Sequence, residues 1–324
     1  MIEDDENKPP TAIAKSKKLI LSDKVDVVIG GLASNLAVPM APVMIENKVP
    51  FIVVNAGASV LTQSQCSPWV VRISFSNDQI VRPSGKWLYD RGYKSAYIMA
   101  ADYTGGHDIA RNFQQSFEAV GGKIVGTDFA PLNTTDFGPH LAKAKAANAD
   151  TVFNFFPGAL AIQFVKQYHQ FGLRSDKPLS GPVWTVSPIF AQAQKEAAIG
   201  FVGSINYIYT LDNPENKKFV AAYRDKSGGQ VPDEVSVNGY DAIKVLVRAL
   251  KALNGKTDDK AAIVREFVKV SYDSTRGPIA IDPKTNNVVQ NIYMVEVRDK
   301  GGMPDYAIVD TVKQERDPPM GCNL

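Results

Sequence analysis

The feature that most constrains the fold of this chain is a repeated alternation of short apolar segments with segments of helix length. Largely apolar segments at Val25–Gly30, Pro50–Val54 and Trp69–Phe75 have the length of strands, and the first two lead into turns that contain Gly. Such segments are typical of parallel strands buried on both faces. Strands that alternate with helices of about 10–15 residues indicate βαβ units. We therefore predict an α/β fold built on parallel sheets.

The alternation continues to about Tyr209 and then changes. Three helices are predicted next, followed by a strand-rich tail: Asn216–Ser227, Val235–Leu253 and Asp258–Val270, then Gly277–Ile281, Val288–Val297 and Tyr306–Thr311. At roughly 150 residues per domain, 324 residues favour two domains. We expect the late helices to return to the first lobe, so that the chain forms two sheets.

Composition excludes several classes of function. The 36 Lys and Arg residues nearly balance 34 Asp and Glu residues, which leaves no general electrostatic reason to bind nucleic acid or an anionic membrane. Three His and two Cys leave little material for a metal site or a thiol enzyme. The nucleotide-binding, Ser-hydrolase and zinc-protease motifs are missing. We predict no catalytic residue, no metal and no cofactor.

The start of the chain has an unusual pattern. Met1–Lys8 has neither the basic nor the apolar region of a signal peptide. Met1 and Ile2 are predicted to end a strand, and Pro10–Ile20 is predicted to be a helix. We therefore expect the first strand and helix of the repeating pattern to be missing from this sequence, through a mis-assigned start or a truncation.

Candidate binding loops follow four predicted strands, because parallel sheets place such loops at the carboxyl ends of their strands. They are Gly30–Asn35, Asn55–Ser59, Ala101–Gly106 and Asn154–Gly158. The first two are small and rich in Gly, and their N–H groups suit a carboxylate. The alternative for any one loop is that its glycines only make a tight turn. Phe155 and Phe156 lie at the end of one predicted strand, and Trp184 lies in another, predicted over Pro182–Val186. Each of the three can point either into the core or into a cleft.

Several motifs, in their order and spacing, carry a resemblance to a known family. They are Ile2–Pro9, Lys24–Gly31, Val49–Ala58, Val71–Ser76, Asp102–Gly106, Asn238–Ala242, Ser274–Pro278 and Val289–Tyr293. The chain resembles type I periplasmic binding proteins over nearly its whole length. The most similar group is that of the leucine/isoleucine/valine-binding protein, the solute receptors of ABC importers.

The resemblance implies two Rossmann-like parallel-sheet lobes joined by a three-segment hinge that close on a ligand. We place the N-terminal lobe at 1–91 plus 212–274, and the C-terminal lobe and tail at 92–211 plus 275–324. It also implies a periplasmic or other extracytoplasmic location, a cognate ABC permease as partner, a small-molecule carboxylate as ligand, and a monomer.

The family's ligand-binding positions fall on both predicted lobes. In the first lobe, Ser34 would offer its hydroxyl and N–H, with Asn35 and Asn55 beside it and backbone groups from Ala56, Gly57 and Ala58. In the second lobe, Tyr103 would close over the ligand. Phe155, Phe156 and Trp184 are also predicted to line the site, from their places near strand ends and not from the family.

One departure from the family affects the ligand. Amino-acid receptors of the group have an acidic partner for the ligand's ammonium in the second lobe, and the corresponding stretch Ser180–Ser187 has no Asp or Glu. Burying an unpaired ammonium is costly. We therefore predict an aromatic or hydrophobic carboxylate. A branched-chain amino-acid receptor and a ligand sensor remain alternatives, and an α/β enzyme is the least favoured.

Cys66 and Cys322 are expected to form a disulfide. The extracytoplasmic location implied by the family is oxidising, and the prolines and glycine before Cys322 suit an extended tail laid over a surface. The alternative is two unpaired thiols. A disulfide requires Cα atoms about 4.4–6.8 Å apart.

Overall fold

The computed structural model describes residues 1–324 and contains ten α-helices and twelve β-strands. Helices α1 to α10 are Pro9–Lys17, Ser34–Glu46, Asn77–Asp90, Thr104–Ala119, Gly138–Ala146, Gly158–Gln170, Ala191–Gln194, Pro214–Lys226, Glu234–Ala252 and Lys260–Phe267. Strands β1 to β12 are Val28–Gly30, Phe51–Val53, Val70–Arg72, Ser95–Ala101, Lys123–Ala130, Thr151–Phe155, Leu179–Pro182, Val202–Ile205, Ser271–Ser274, Gly277–Ile281, Val288–Lys300 and Met303–Glu315. The predicted α/β class with parallel sheets is confirmed. None of the helices has the length and apolar character needed to cross a membrane.

The chain divides into two compact units. Unit 1 comprises Met1–Ser76, Glu234–Asn291 and Gln314–Leu324, and unit 2 comprises Asn77–Asp233 and Ile292–Lys313. In this division α3 belongs to unit 2, because it packs along α4. The lobe limits at 91, 212 and 274 and the three-segment hinge remain predictions.

Unit 1 contains a three-stranded parallel sheet in the order β1-β2-β3. Phe51 and Val53 of β2 point into a core with α1 and α2, whereas Ile52 points into a second core with α9 and α10. Because alternate side chains of one strand enter opposite cores, the whole strand must be apolar. This explains why the sequence around β2, Pro50–Val54, is apolar at every position.

A second set of strands in unit 1 is antiparallel. Strand β10 pairs with β9 and with the start of β11. Asn287, just before β11, makes a parallel bridge to Arg72 at the end of β3. This bridge brings the start of β11 beside the parallel sheet of unit 1.

Unit 2 has a parallel sheet in the order β5-β4-β6-β7-β8, and the second half of β11 pairs antiparallel to β8. Phe153 of β6 stacks on Phe113 of α4, with ring centroids 3.5 Å apart. Phe156, just after β6, contacts Phe164 of α6 at 4.4 Å instead. The sheet of unit 2 is therefore covered by aromatic side chains from helices on both faces.

The structure corrects two predicted elements and adds one strand. Met1 and Ile2 are not in a strand. The strand predicted at Pro182–Val186 is wrong: β7 ends at Pro182, which has no N–H to continue the ladder, and Val183–Val186 is a 3₁₀ turn. Ser271–Ser274, next to the predicted lobe limit at 274, forms strand β9, which the sequence pattern does not indicate because Ser-Tyr-Asp-Ser has little apolar character.

The predicted disulfide is confirmed. Cys66 and Cys322 are bonded, with Cα atoms 5.6 Å apart, inside the expected range. Both residues belong to unit 1, so the bond fastens the C-terminal tail, Gln314–Leu324, to the unit that contains β1–β3.

Candidate ligand-binding site

Two predicted binding loops of unit 1 are joined to each other. Asn55 donates its side-chain N–H to the carbonyl of Leu32 at 2.8 Å, and Ala56 donates its backbone N–H to the carbonyl of Gly31 at 2.9 Å. The N–H of Ala56 is therefore occupied, so this residue can offer a ligand only its carbonyl. Gly57 and Ala58 keep backbone N–H groups that make no hydrogen bond within the chain.

Gly31 has to be glycine for these loops to meet. Its φ is +78°, and a Cβ there would lie 3.0 Å from Cβ of Ala37 and 3.2 Å from the ring of Phe51. The turn at Gly31 leads into α2, whose first residue is the buried Ser34. The N–H of Ser34 is thus at a helix N-terminus, where an anion is favoured by the helix dipole. Asn35 lies beside it and is half-buried.

A buried arginine binds the backbone of the second loop, Asn55–Ser59. Nη1 of Arg72, in β3, donates to the carbonyl of Ala58 at 2.7 Å. Arg72 is fully buried. The sequence-based site did not include Arg72, because nothing in its neighbourhood along the chain places it under the Asn55–Ser59 loop.

In unit 2, Tyr103 occupies the turn between β4 and α4. Its N–H donates to the carbonyl of Ala101 at 2.9 Å, and it is the N-cap residue of the helix. A Cβ on Gly105 would lie 2.7 Å from the hydroxyl of Tyr103, and one on Gly106 would lie 1.9 Å from the carbonyl of Ala101. Gly106 is therefore required by the backbone of this turn, whereas a Cβ on Gly105 would displace the Tyr103 ring. Burial raises the pKa of the Tyr103 hydroxyl, so it remains a neutral hydrogen-bonding group.

Three of the four predicted aromatic residues form a row in unit 2. The rings of Tyr103 and Phe155 have centroids 6.3 Å apart, and those of Phe155 and Trp184 are 5.8 Å apart in an edge-to-face arrangement. Trp184 is half-buried on the 3₁₀ turn after β7. We call Tyr103, Phe155 and Trp184 the aromatic row. It presents flat apolar surface of the kind that packs against a planar ligand.

Phe156 does not join the aromatic row. It is fully buried and contacts Phe137 and Phe164, with ring centroids at 5.1 and 4.4 Å. Successive side chains at the end of a strand point to opposite faces, so Phe155 and Phe156 go to different surroundings. The structure assigns Phe156 to the core of unit 2.

His107 has a partner that the sequence did not reveal. Its Nε2 lies 2.7 Å from Oδ1 of Asp102, and its ring lies 4.0 Å from that of Phe129. His107 and Asp102 are both about half exposed and bracket Tyr103 along the chain. Asp102 thus pairs with His107, and Tyr103 is the N-cap residue of α4.

The sequence of this chain matches that of a known protein family. A family model with the description "Periplasmic binding protein" matches residues 1–302, nearly the whole chain. The chain belongs to the periplasmic binding protein family. Periplasmic binding proteins bind solutes and are not enzymes, which confirms the prediction of a non-enzymatic function.

Individual periplasmic binding proteins are similar over most of their length. The Leu/Ile/Val-binding protein homolog 6 of Brucella melitensis is 33% identical over 295 residues, covering 89% of this chain and 74% of the relative. A solute-binding protein of an ABC transporter from Rhodopseudomonas palustris BisB5, solved with 3,4-dihydroxybenzoic acid, has a TM-score of 0.92 and 34% identity, covering 98% of this chain and 87% of its own. Another from R. palustris, solved with benzoate, has a TM-score of 0.92 and 33% identity, covering 99% and 87%. The predicted resemblance to the leucine/isoleucine/valine-binding group is thereby confirmed.

Proposed function

We propose that this chain is the solute receptor of an ABC importer and that its ligand is a small aromatic carboxylate. The observation that supports this most is the aromatic row Tyr103, Phe155 and Trp184 in unit 2. Unit 1 offers the complementary chemistry, because its two joined loops present N–H groups at Ser34, Gly57 and Ala58. A benzoate has both parts, a planar ring and an anionic head.

The carboxylate would be recognised by unit 1. The hydroxyl and N–H of Ser34 stand at the start of α2, where the helix dipole favours an anion. Hydrogen bonds from neutral donors to a charged carboxylate are stronger than those between neutral groups. Asn55 is proposed to act indirectly, by holding the loop that follows β2 against the loop that follows β1.

The ring would be recognised by unit 2. Apolar and aromatic walls with a few polar groups are typical of small-molecule sites. The stretch Ser180–Ser187 beside Trp184 contains no carboxylate that could pair with the ammonium of an amino acid. Asp102, which is near Tyr103 in sequence, is engaged with His107. These features favour benzoates over branched-chain amino acids.

The similar solved structures support the same ligand class. The two R. palustris proteins were solved with benzoate and with 3,4-dihydroxybenzoic acid. The B. melitensis relative bears the name of Leu/Ile/Val-binding proteins, so leucine is the competing ligand to test.

A ligand screen by thermal shift, followed by calorimetry, tests the proposal. Benzoate, 4-hydroxybenzoate and 3,4-dihydroxybenzoate should stabilise the protein, by about 2.7 kcal/mol at a hundred times the dissociation constant. Benzamide, which has the ring without the charge, should bind much more weakly, and leucine should not bind. Leucine binding without benzoate binding would overturn the proposal.

Substitution of Ser34 tests the carboxylate site. Ser34→Ala should weaken benzoate binding by about 1.5–3 kcal/mol, the value of one charge-assisted hydrogen bond. Ser16→Ala is the matched control, because the Ser16 hydroxyl is also buried in unit 1 but donates to the carbonyl of Ala12 in α1. Equal benzoate affinity in Ser34→Ala and the wild type would remove Ser34 from the site.

The location and partners of the protein are part of the same proposal. We place it outside the cytoplasm as a monomer that delivers its ligand to a cognate ABC permease. The Cys66–Cys322 bond supports an oxidising compartment. Light scattering at micromolar concentration should give the mass of one chain, with and without benzoate, and a dimer mass would contradict the monomer.

A further inference from the structure

Arg72 connects the binding loop of unit 1 to the C-terminal tail. Its Nη1 donates to the carbonyl of Ala58 at 2.7 Å, and its Nε donates to Oδ1 of Asn287 at 2.8 Å. Its Nη2 donates to the hydroxyl of Thr62 and lies 3.3 Å from Oδ2 of Asp317. One buried guanidinium therefore contacts both the Asn55–Ser59 loop and a residue of the tail.

Asp317 is the anionic partner in this arrangement. The side chains of Arg72 and Asp317 are both fully buried. Asp317 also accepts hydrogen bonds from Ser76 and from Thr62, the latter at 3.2 Å. Two further contacts hold the tail on unit 1: the Cys66–Cys322 bond and the ion pair of Arg316 with Asp282 at 2.8 Å.

We propose that Asp317 is a positioning residue for ligand binding, which keeps Arg72 on the carbonyl of Ala58 and thereby holds the carboxylate-binding loop in its binding geometry. This inference rests on the proposed function. The tail thus supplies one buried carboxylate, that of Asp317, beside the arginine that contacts the ligand-binding loop.

The buried positive charge of Arg72 needs an anion nearby, and this explains why its contact with Asp317 controls its position. A buried guanidinium without an anion is strongly disfavoured, so loss of the Asp317 carboxylate drives Arg72 toward water or another acceptor. The carbonyl of Ala58 then loses a charged donor. A loop that is no longer held in one geometry must be ordered when ligand binds, which weakens affinity.

The experiment compares Asp317→Asn with two controls by calorimetry with benzoate. Asp317→Asn removes the charge at almost constant shape and should weaken benzoate binding about tenfold, within the range of measured couplings between sites. Arg316→Gln changes the neighbouring tail residue, which pairs with Asp282. Val71→Ala weakens the core beside Arg72 without touching the loop. Both controls should stay within about twofold of the wild type.

A second variant covers the outcome in which Asp317→Asn does not fold. The pair Arg72→Met with Asp317→Leu removes both charges together, a change that proteins often tolerate. It also leaves the carbonyl of Ala58 without its arginine donor, so it should show a similar loss of benzoate affinity. Wild-type affinity in this double variant would overturn the inference.

The ligand-free protein gives a readout that separates this inference from the proposed function. The backbone amide signals of Gly57 and Ala58 in an NMR spectrum should shift or broaden in Asp317→Asn and in the double variant, and stay in place in Arg316→Gln and Val71→Ala. If the wild type binds no aromatic carboxylate, the proposed function fails and these signals still decide whether Asp317 positions the loop. If the wild type binds benzoate and the signals do not change, the inference fails alone.

Discussion

Asn55 donates its side-chain N–H to the carbonyl of Leu32 across a separation of 23 residues, at a distance of 2.8 Å. This hydrogen bond joins the loops after β1 and β2 into one surface. Asn55→Ala should therefore weaken benzoate binding by about 0.5–1.5 kcal/mol, the usual net value of one such bond. Calorimetry measures the change.

Asn47→Ala is the control for Asn55→Ala. Asn47 also donates its side-chain N–H to a backbone carbonyl at 2.8 Å, that of Val43, but it lies at the opposite end of α2 from Ser34. Its substitution should leave benzoate affinity unchanged. Equal losses in the two variants would show that the effect of Asn55 is not local to the loops.

Two glycines inside helices should respond in opposite directions to replacement by alanine. A Cβ on Gly106, in α4, would lie 1.9 Å from the carbonyl of Ala101, so Gly106→Ala should lower the free energy of unfolding by at least about 1–3 kcal/mol. Gly239, in α9, has no atom within 4 Å of the same position, so Gly239→Ala should raise it by up to about 1 kcal/mol. Urea denaturation of both variants checks the pair. A stable Gly106→Ala would contradict the close approach at the Tyr103 turn.

Substitutions of Trp184 and Phe156 should separate an effect on ligand affinity from an effect on protein stability. Trp184→Leu removes a half-buried ring of the aromatic row and should weaken benzoate binding while changing stability little. Phe156→Leu alters a fully buried ring in contact with Phe137 and Phe164, so it should lower stability and leave affinity nearly unchanged. Calorimetry and thermal denaturation of each variant give the two quantities. The reverse pattern would move the ligand to the other face of β6.

Reduction of the disulfide should destabilise unit 1. Loss of a native disulfide typically costs about 2–5 kcal/mol. The variant with Cys66→Ser and Cys322→Ser should unfold at lower urea concentration than the wild type. Dithiothreitol should lower the urea concentration at which the wild type unfolds to that of the variant. It should leave the unfolding of the variant unchanged. Indifference of the wild type to dithiothreitol would contradict a bonded pair in solution.

The sequence predicts the elements of this fold better than their contacts. Phe51–Val53 and Val70–Val71 are apolar because both faces of a parallel strand are buried, so pattern alone locates these strands. The same pattern cannot tell Phe155 from Phe156, because the choice of face depends on where the strand ends. The pattern of Pro182–Val186 predicts a strand that includes Trp184, whereas the structure ends the ladder at Pro182.

The contacts that hold the candidate site in place cannot be predicted from sequence patterns. Arg72 and Asp317 are separated by 245 positions along the chain, and the motif Val71–Ser76 does not reveal which residue pairs with Arg72. Asn55 is predicted beside Ser34, but its hydrogen bond to Leu32 depends on the parallel pairing of β1 with β2. The backbone groups were predicted as one set, and the structure separates the occupied N–H of Ala56 from those of Gly57 and Ala58.

Unit 1 contains residues from both ends of the chain, and this arrangement sets the order in which the protein can mature. The ribosome completes residues 77–233, which make up most of unit 2, well before it reaches Asp317 and Cys322. Until then Arg72 has no Asp317 beside it, and Cys66 is an unpaired thiol. The buried ion pair beneath the Asn55–Ser59 loop therefore forms only after most of unit 2 has been made. The oxidant that joins Cys66 to Cys322 must act after the same point.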